Sequence, residues 1–196
     1  MYILNAWNVE GVQYSEPKLK LQGIEAVRSS TPRACRENIK AALSIIMNGT
    51  QAELQKFIED FRADFLTLPF EEVAFPRGVK GLDKYRSASM IYDKGTPIHV
   101  KGALLFNNIL KEKGIKHIMP ISDGDKIKFA YLKMPNPVKD TVIAIPDEIP
   151  KELLYIDKYI DREMQFNKSF LEPLKSVTEV IGWETEQKST LEDFFS

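Results

Sequence analysis

Cysteine and histidine are scarce in this chain. Its 196 residues include one cysteine, Cys35, and two histidines, His99 and His117. A single cysteine excludes an internal disulfide and a zinc site made of cysteines. Two isolated histidines without neighbouring ligands do not predict a metal site either. We expect Cys35 to be a buried helix residue with a reduced thiol.

Long apolar runs and targeting signals are also missing. No apolar stretch reaches the ~20 residues that a membrane-spanning helix needs, and residues 1–11 lack the basic region and cleavage site of a signal peptide. Hydrophobic residues make up 43% and charged residues 28% of the sequence, which is typical of globular proteins. No Ser-His-Asp or P-loop pattern is present. We therefore expect a cytoplasmic protein with no membrane partner and no cofactor held by this chain.

A basic excess is absent as well. The formal net charge is -1, whereas nucleic-acid-binding proteins are usually basic. The charges are unevenly distributed, however. Residues 77–101 contain six basic and two acidic residues, and residues 147–172 contain four basic and seven acidic residues. A molecule with such a charge separation can bind phosphates on one face while it stays near neutral overall.

The first third of the sequence predicts a strand pair followed by a helical hairpin. Residues 2–14 are expected to form two short strands joined by a Glu10-Gly11 turn, and a basic segment continues to residue 27. Hydroxyl residues before Pro32 predict a capped helix with Pro32 at its first position, which ends at Gly49. Thr50 begins the second helix, with Glu53 at capping-box spacing, and Pro69 ends it.

The remaining two thirds predict an α+β fold with a small sheet. Residues 76–95 are expected to be a loop, and residues 99–114 an extended entry into a helix. Residues 117–135 predict a β-hairpin with its turn at Asp123-Gly124, and residues 142–145 predict a further strand. Residues 151–182 are expected to form one long helix that Gly182 closes.

Asp123 and Asp125 have the spacing of a metal-binding aspartate pair. We interpret them instead as turn residues, because Asp-Gly is favoured at tight turns for backbone reasons. No catalytic residue and no metal ligand is therefore predicted in this chain.

Three cations and a run of hydroxyls occur close together in YSEPKLKLQGIEAVRSSTP, residues 14–32. Lys18, Lys20 and Arg28 fit either solvated surface charges or contacts to backbone phosphates. Ser29, Ser30 and Thr31 fit either simple helix capping or an anion site at a helix start. This stretch resembles the end of the palm and the entry to the thumb of family B DNA polymerases, most closely the replicative type of T-even-like bacteriophages.

The resemblance implies roles for these residues. Lys18, Lys20 and Arg28 would follow the primer–template duplex. Ser29 and Ser30 are candidate DNA-binding residues through the possible anion site at the helix start. In the family, a Lys-Lys-x-Tyr element contacts the primer end. Tyr2 matches its tyrosine, but the lysines have no counterpart in this sequence.

A second stretch resembles the part of the polymerase thumb that holds duplex phosphates. It includes GTPIHVKGALLFN, residues 95–107, and the basic triplet before it. Gly102 would allow a backbone N–H to approach a phosphate closely, and Lys101 would neutralise the charge beside it. A solvated basic loop is the alternative interpretation. The residues that the resemblance implies for DNA binding here are Lys84, Tyr85, Arg86, His99, Lys101 and Gly102.

The C-terminus combines a polar segment with three large apolar residues, Leu191, Phe194 and Phe195. Their spacing fits one helical turn that inserts three anchors into a groove. It resembles the clamp-binding peptide of phage and other family B polymerases, with Lys188 where the usual glutamine stands. The alternative is a tail packed on its own domain.

The resemblance implies three regions: residues 1–27 as the end of the palm, residues 28–183 as a mostly helical thumb with a β-rich subdomain, and residues 184–196 as a clamp-binding tail. In the complete polymerase, aspartates outside this chain would catalyse nucleotidyl transfer with Mg²⁺. This chain alone would be inactive. The expected partners are primer–template duplex DNA, a sliding clamp, and the N-terminal polymerase portion, either as a separate chain or as a missing segment. The expected location is the cytoplasm of a phage-infected bacterium. The alternative is a stand-alone, non-catalytic DNA- or clamp-binding module.

Overall fold

The computed structural model describes residues 2–22, 28–86 and 90–186. The chain forms two compact units. The first comprises residues up to Leu66 together with those from Asn167 onward, and the second comprises Thr67–Phe166. Both helices and antiparallel sheets are present, which confirms the predicted α+β class. Among the residues described, no helix is long and apolar enough to cross a membrane.

A β-hairpin begins the first unit. Strand β1 (Tyr2–Val9) pairs with β2 (Val12–Gln22), and the pairing shifts between Ala6 and Asn8. Glu10 and Gly11 form the turn with φ of 54° and 84°, and the Gly11 N–H donates to the Asn8 side chain. The predicted turn is confirmed. Strand β2 is longer than predicted because its pairing with β1 continues through Gln22.

Two helices follow, α1 (Arg33–Asn48) and α2 (Gln51–Phe65). The capping box at α2 is confirmed: the Glu53 N–H donates to the Thr50 hydroxyl, and the Thr50 N–H donates to the Glu53 carboxylate. The predicted start of α1 is wrong. Pro32 occupies the cap position, and no side chain caps the helix. The Thr31 N–H instead bonds to the Arg28 carbonyl, so a turn precedes the helix.

The core of the first unit is formed by α1, α2 and the helical segments of residues 167–181. Phe61 of α2 contacts Phe170 edge-on, with ring centroids 4.8 Å apart. Cys35 is fully buried beside the Ser169 hydroxyl at 3.1 Å. Burial raises the pKa of the Cys35 thiol to about 12. The predicted buried position of Cys35 in a helix is confirmed, and its reduced state stays a prediction. The segments are a π-helix (Asn167–Leu171), α7 (Glu172–Thr178) and a 3-10 helix (Glu179–Ile181) that ends at Gly182.

A three-stranded antiparallel sheet lies at the centre of the second unit. Its order is β3 (Phe75–Gly78), β4 (Lys126–Tyr131) and β5 (Val142–Ile145). Helix α5 (Ile98–Glu112) packs on β5 and buries a largely apolar face. The described residues of this unit also form the shorter helices α3 (Phe70–Val73), α4 (Leu82–Tyr85) and α6 (Arg162–Phe166), with a 3-10 helix at Lys151–Tyr159.

Two predictions for the second unit are wrong at its sheet. The loop predicted at residues 76–95 contains β3 and α4, because Phe75 pairs with and stacks on Phe129 of β4. The predicted hairpin at residues 117–135 does not form, although the Asp-Gly turn does. The backbone of Ile121 bonds to the Asn107 side chain of α5 and not to a strand.

The long helix predicted for residues 151–182 is also wrong. Residues 159–161 interrupt it because their backbone groups bond to the end of β4. The Tyr159 carbonyl accepts from the Lys133 N–H, and the Asp161 N–H donates to the Tyr131 carbonyl. Helix α6 begins only at Arg162.

Candidate nucleic-acid interface

The basic residues of the first unit lie on the hairpin and just before α1. In the strand pairing, Lys18 is opposite Ala6, Lys20 is opposite Leu4, and Tyr2 is opposite Gln22. The side chains at these three predicted positions lie outside the residues whose side chains are described. Arg28 and Ser29 are exposed and Ser30 is half-buried. Their contacts with DNA remain predictions.

The basic triplet of the second unit is held by α4. Gly81 precedes this helix with φ of 80°, a left-handed conformation that glycine adopts without strain. The Asp123 carboxylate accepts hydrogen bonds from the Gly81 and Leu82 N–H groups at 2.9 and 2.8 Å. An anion at a helix N-terminus is favourable because the free N–H groups and the dipole both attract it. Asp123 therefore anchors the start of the helix that carries Lys84.

Lys84 and Arg86 are both exposed at the end of α4. The Lys84 ammonium lies 5.3 Å above the ring of Tyr85. Arg86 lies 3.6 Å from the exposed Asp83 carboxylate, and such a surface pair is worth little in water. Both cations can therefore reach a phosphate without the loss of a buried contact.

His99 lies at the first turn of α5 and is half-buried. Its ring centroid is 6.4 Å from that of Phe129. Burial lowers the pKa of His99 below its ordinary value, and the nearby Arg77 lowers it further. The imidazole is consequently neutral near pH 7 and supplies no positive charge for a phosphate. The segment around it is helical and not the extended entry that the sequence predicts.

Lys101 points to a carboxylate of its own chain. Its ammonium lies 2.6 Å from Asp140, and the two side chains are 23% and 10% exposed. The Tyr92 hydroxyl donates to the same carboxylate, and the Lys101 ammonium lies 4.8 Å above the Tyr92 ring. The charge of Lys101 is thus compensated inside the second unit.

The titration of these three groups reflects their contacts. Burial lowers the pKa of Lys101, but bonds to Asp140 and Tyr92 outweigh this effect and raise it above its ordinary value. Burial raises the pKa of Asp140, but hydrogen bonds from Lys101, Tyr92 and the Thr141 N–H reverse this and hold it low. Burial and the bond to Asp140 both raise the pKa of Tyr92. All three groups therefore keep their paired protonation states around neutral pH.

Gly102 is buried on the face of α5 that packs against β5. A Cβ at this position would lie 2.7 Å from the Ala144 backbone nitrogen and 3.0 Å from the Ile143 carbonyl carbon. Such distances are shorter than van der Waals contact, so the absence of a side chain allows helix and strand to approach. The structure gives Gly102 this packing role, and its buried position does not offer the close approach to a phosphate that the sequence suggests.

Metal binding has little support among the residues that the structure describes. They include no cluster of three or more His, Cys, Asp or Glu side chains that could hold an ion. Asp123 caps α4, as stated above, and the Asp125 carboxylate accepts the Ser122 N–H. The aspartate pair serves the turn, and the residues present do not fit the Mg²⁺ that the family resemblance implies for a complete polymerase.

The predicted tail anchors Leu191, Phe194 and Phe195, like Lys188, lie outside the described residues. The chain just before them is described. The Glu184 and Glu186 carbonyls accept hydrogen bonds from the Gln55 side chain of α2, at 3.0 and 3.3 Å.

Two curated relatives match nearly the whole chain. It is 30% identical over 202 residues to the DNA-directed DNA polymerase of Enterobacteria phage T4, an alignment that covers 99% of this chain and 22% of that polymerase. It is similar to phage DNA polymerases. The polymerase of Escherichia phage RB69 is also 30% identical, over 200 residues, with the same shares covered. The resemblance to T-even-like phage polymerases that the sequence predicts is confirmed.

The match covers only part of those relatives. The chain spans about a fifth of the length of each polymerase. No protein-family model matches the sequence.

Sequence reasoning missed the residues that compensate the charge of Lys101 and lower the pKa of His99. Asp140 and Tyr92 bind Lys101, and Arg77 lies close enough to His99 to affect its titration. Asp140 and Arg77 are distant in sequence from the residues they affect, and Tyr92 lies nine residues before Lys101. No local motif marks any of the three. A prediction of the β4–β5 connection as a neighbour of α5 would have been needed to find Asp140.

Proposed function

We propose that this chain is the duplex-binding part of a family B DNA-directed DNA polymerase, comprising the end of the palm, the thumb and a clamp-binding tail. The observation that carries the proposal is the 30% identity with two phage DNA polymerases across 99% of the chain. A shared fold and shared duplex contacts are the simplest reason for similarity that extends from the hairpin to the tail. The three regions proposed are residues 1–27, 28–183 and 184–196.

Exposed cations carry the proposed contact to DNA. In the second unit these are Lys84 and Arg86, whose charges face solvent beside Tyr85. In the first unit Arg28 supports the same role, and we add Lys18 and Lys20 from their position on β2. Lysine and arginine bind phosphates without reading sequence, and their affinity falls as salt rises. Lys101 binds Asp140, Gly102 packs against β5, and His99 is neutral near pH 7, so we assign the phosphate contacts of this unit to Lys84 and Arg86.

The reaction of the complete polymerase would be nucleotidyl transfer, with the reacting groups held elsewhere. This chain's proposed part in it is to hold the primer–template duplex while the tail tethers the enzyme to a sliding clamp through Leu191, Phe194 and Phe195. The partner in the chemistry is the polymerase portion that carries the metal-binding aspartates.

A primer-extension assay with Mg²⁺ tests this proposal. We expect no extension by this chain alone, and extension when the portion that carries the aspartates is added in the same or a separate chain. Lys84→Ala with Arg86→Ala should lower the extension rate at subsaturating DNA. Extension by the purified chain alone, or no effect of the chain on the other portion, contradicts the proposal.

A further inference from the structure

The residues before the tail are bound along α2 in the first unit. The Gln55 amide donates to the Glu184 and Glu186 carbonyls, and the Gln51 side chain accepts from the Glu184 N–H at 3.3 Å. Arg62 forms an ion pair with the Glu186 carboxylate. Thr185 between them is buried. The point from which residues 187–196 continue is therefore fixed on the surface of this helix.

A cleft of about 310 Å³ opens at this point. Its walls combine α2 with the segment just described, and its one fully apolar contribution is the buried Ile58. Arg62 and Glu186 neutralise each other across it. Glu59 is exposed and makes no hydrogen bond or ion pair with any other residue in the described part of the chain. Among the described residues that line the cleft, the charge of Glu59 is therefore the one without a compensating cation. Its lining residues are Gln55, Ile58, Glu59, Arg62, Thr185 and Glu186.

Chain length limits how far the tail anchors can be from the cleft. Leu191 is the fifth residue after Glu186, and a chain extends by at most ~3.6 Å per residue. The Leu191 Cα thus lies no more than about 18 Å from the Glu186 Cα in any conformation. A partner that binds Leu191 is held beside the cleft, at a high effective concentration for a second contact.

We propose that this cleft is a second contact site for the partner that binds the tail, and that it receives a lysine or arginine side chain of that partner with Glu59 as the counter-ion. The inference rests on the proposed clamp-binding function of the tail. The inference adds a surface on α2 to the proposed contact between the tail and the sliding clamp, which otherwise involves only the last residues of the chain. A cation suits the cleft because its volume admits one long side chain and the described residues that line it carry a net negative charge.

The decisive experiment compares two charge reversals on α2 in the full chain. Glu59→Lys changes the cleft, whereas Asp60→Lys makes the same change in net charge at an exposed position that does not line it. Affinity for the cognate sliding clamp is measured by calorimetry at 50 mM salt. We expect Glu59→Lys to weaken clamp binding about tenfold and Asp60→Lys to weaken it less than about twofold. A direct contact in the cleft is lost only when Glu59 is changed, whereas long-range attraction to the clamp would change equally in both variants.

Two further variants separate failure of this inference from failure of the proposed function. Insertion of eight Gly and Ser residues after Glu186 should reduce the Glu59→Lys effect to below about threefold, because the second contact loses its effective concentration. Truncation of Phe194 and Phe195 to alanine tests the tail itself. If that truncation has no effect on clamp binding, the proposed function fails. If truncation abolishes binding but Glu59→Lys and Asp60→Lys behave alike, the cleft is not a contact site and the tail function stands.

Discussion

The Lys101 ammonium lies 2.6 Å from the Asp140 carboxylate and joins α5 to the connection between β4 and β5. Lys101 belongs to the sequence block that most suggests phosphate binding in the second unit. Its positive charge nevertheless forms an ion pair with a carboxylate of the same unit. The Tyr92 hydroxyl donates to the same carboxylate, so three separate segments of the unit meet at one group. This contact leads to a prediction about stability and not about DNA.

Replacement of Lys101 should destabilise the protein and leave DNA affinity unchanged. Lys101→Met keeps most of the side-chain volume but leaves the Asp140 charge without its cation. We expect a loss of about 2 kcal/mol of unfolding free energy, as for a hydrogen bond to a charged group. Urea denaturation measures it, and Lys111→Met, an exposed lysine on the same helix, is the control with less than about 0.5 kcal/mol.

A double-mutant cycle with Asp140→Asn isolates the pair. The coupling between Lys101 and Asp140 should be about 1–2 kcal/mol, because both side chains are mostly buried. Additive effects would show that the two groups do not interact in solution. A tenfold loss of DNA affinity in folded Lys101→Met would show that this lysine binds phosphate after all.

Acid should remove the contribution of Asp140 to stability. Its pKa is below the ordinary value of 3.8 in the folded protein, so the unfolded state binds more protons as the pH falls through that range. The unfolding free energy should therefore decrease below about pH 4. In Asp140→Asn this part of the decrease is absent, so the difference between the two proteins should shrink from pH 5 to pH 2.5. Denaturation curves across this range measure it, and a constant difference contradicts the assigned pKa direction.

Alanine at position 102 should destabilise the protein even though alanine favours helices. The added Cβ would lie 2.7 Å from the Ala144 nitrogen, and relief of that overlap requires α5 to move away from β5. We expect a net loss of about 1–3 kcal/mol, typical of overpacking. Gly78→Ala is the matched control, because a Cβ there meets nothing within 4 Å. Thermal denaturation of both variants compares them, and equal melting temperatures contradict the packing role.

Replacement of Phe194 or Phe195 by alanine should strongly weaken clamp binding without any effect on DNA binding. Aromatic anchors in a groove are typical hot spots, so Phe194→Ala or Phe195→Ala should cost about 2 kcal/mol of binding free energy or more. Calorimetry of the full-length variants against the cognate clamp measures this. Normal clamp affinity in both variants would mean that the phenylalanines are not the anchors.

Local sequence signals predicted the parts of the fold that local interactions stabilise. The Thr50–Glu53 capping box and the Glu10-Gly11 turn are both present because their hydrogen bonds lie within four residues. The same reasoning failed where distant groups compete. Ile121 bonds to Asn107 on α5, so the predicted hairpin does not form. The Tyr159 carbonyl bonds to the backbone just after β4, so the predicted long helix is interrupted.

The sequence predicted which cations belong to the candidate site. It did not predict which of them are paired with carboxylates or how their pKa values are shifted. Lys84 and Arg86 are exposed as the basic segment suggests. The compensation of Lys101 by Asp140 and the low pKa of His99 come from tertiary burial, which no spacing in the sequence encodes. We therefore predict that α5 contributes less to DNA binding than its sequence implies.

The salt dependence of duplex binding tests the central claim most directly. Fluorescence anisotropy with a labelled primer–template duplex, from 50 to 200 mM salt, should give a log–log slope of about -3 for three or four neutralised phosphates. Lys84→Ala with Arg86→Ala should reduce the slope to about -1, since each lost phosphate contact contributes ~0.9. The control, Lys111→Ala with Lys116→Ala, removes two exposed lysines of the same unit and should leave the slope unchanged. A flat salt response, or equal slopes in the two double variants, would contradict the account that this chain grips duplex DNA.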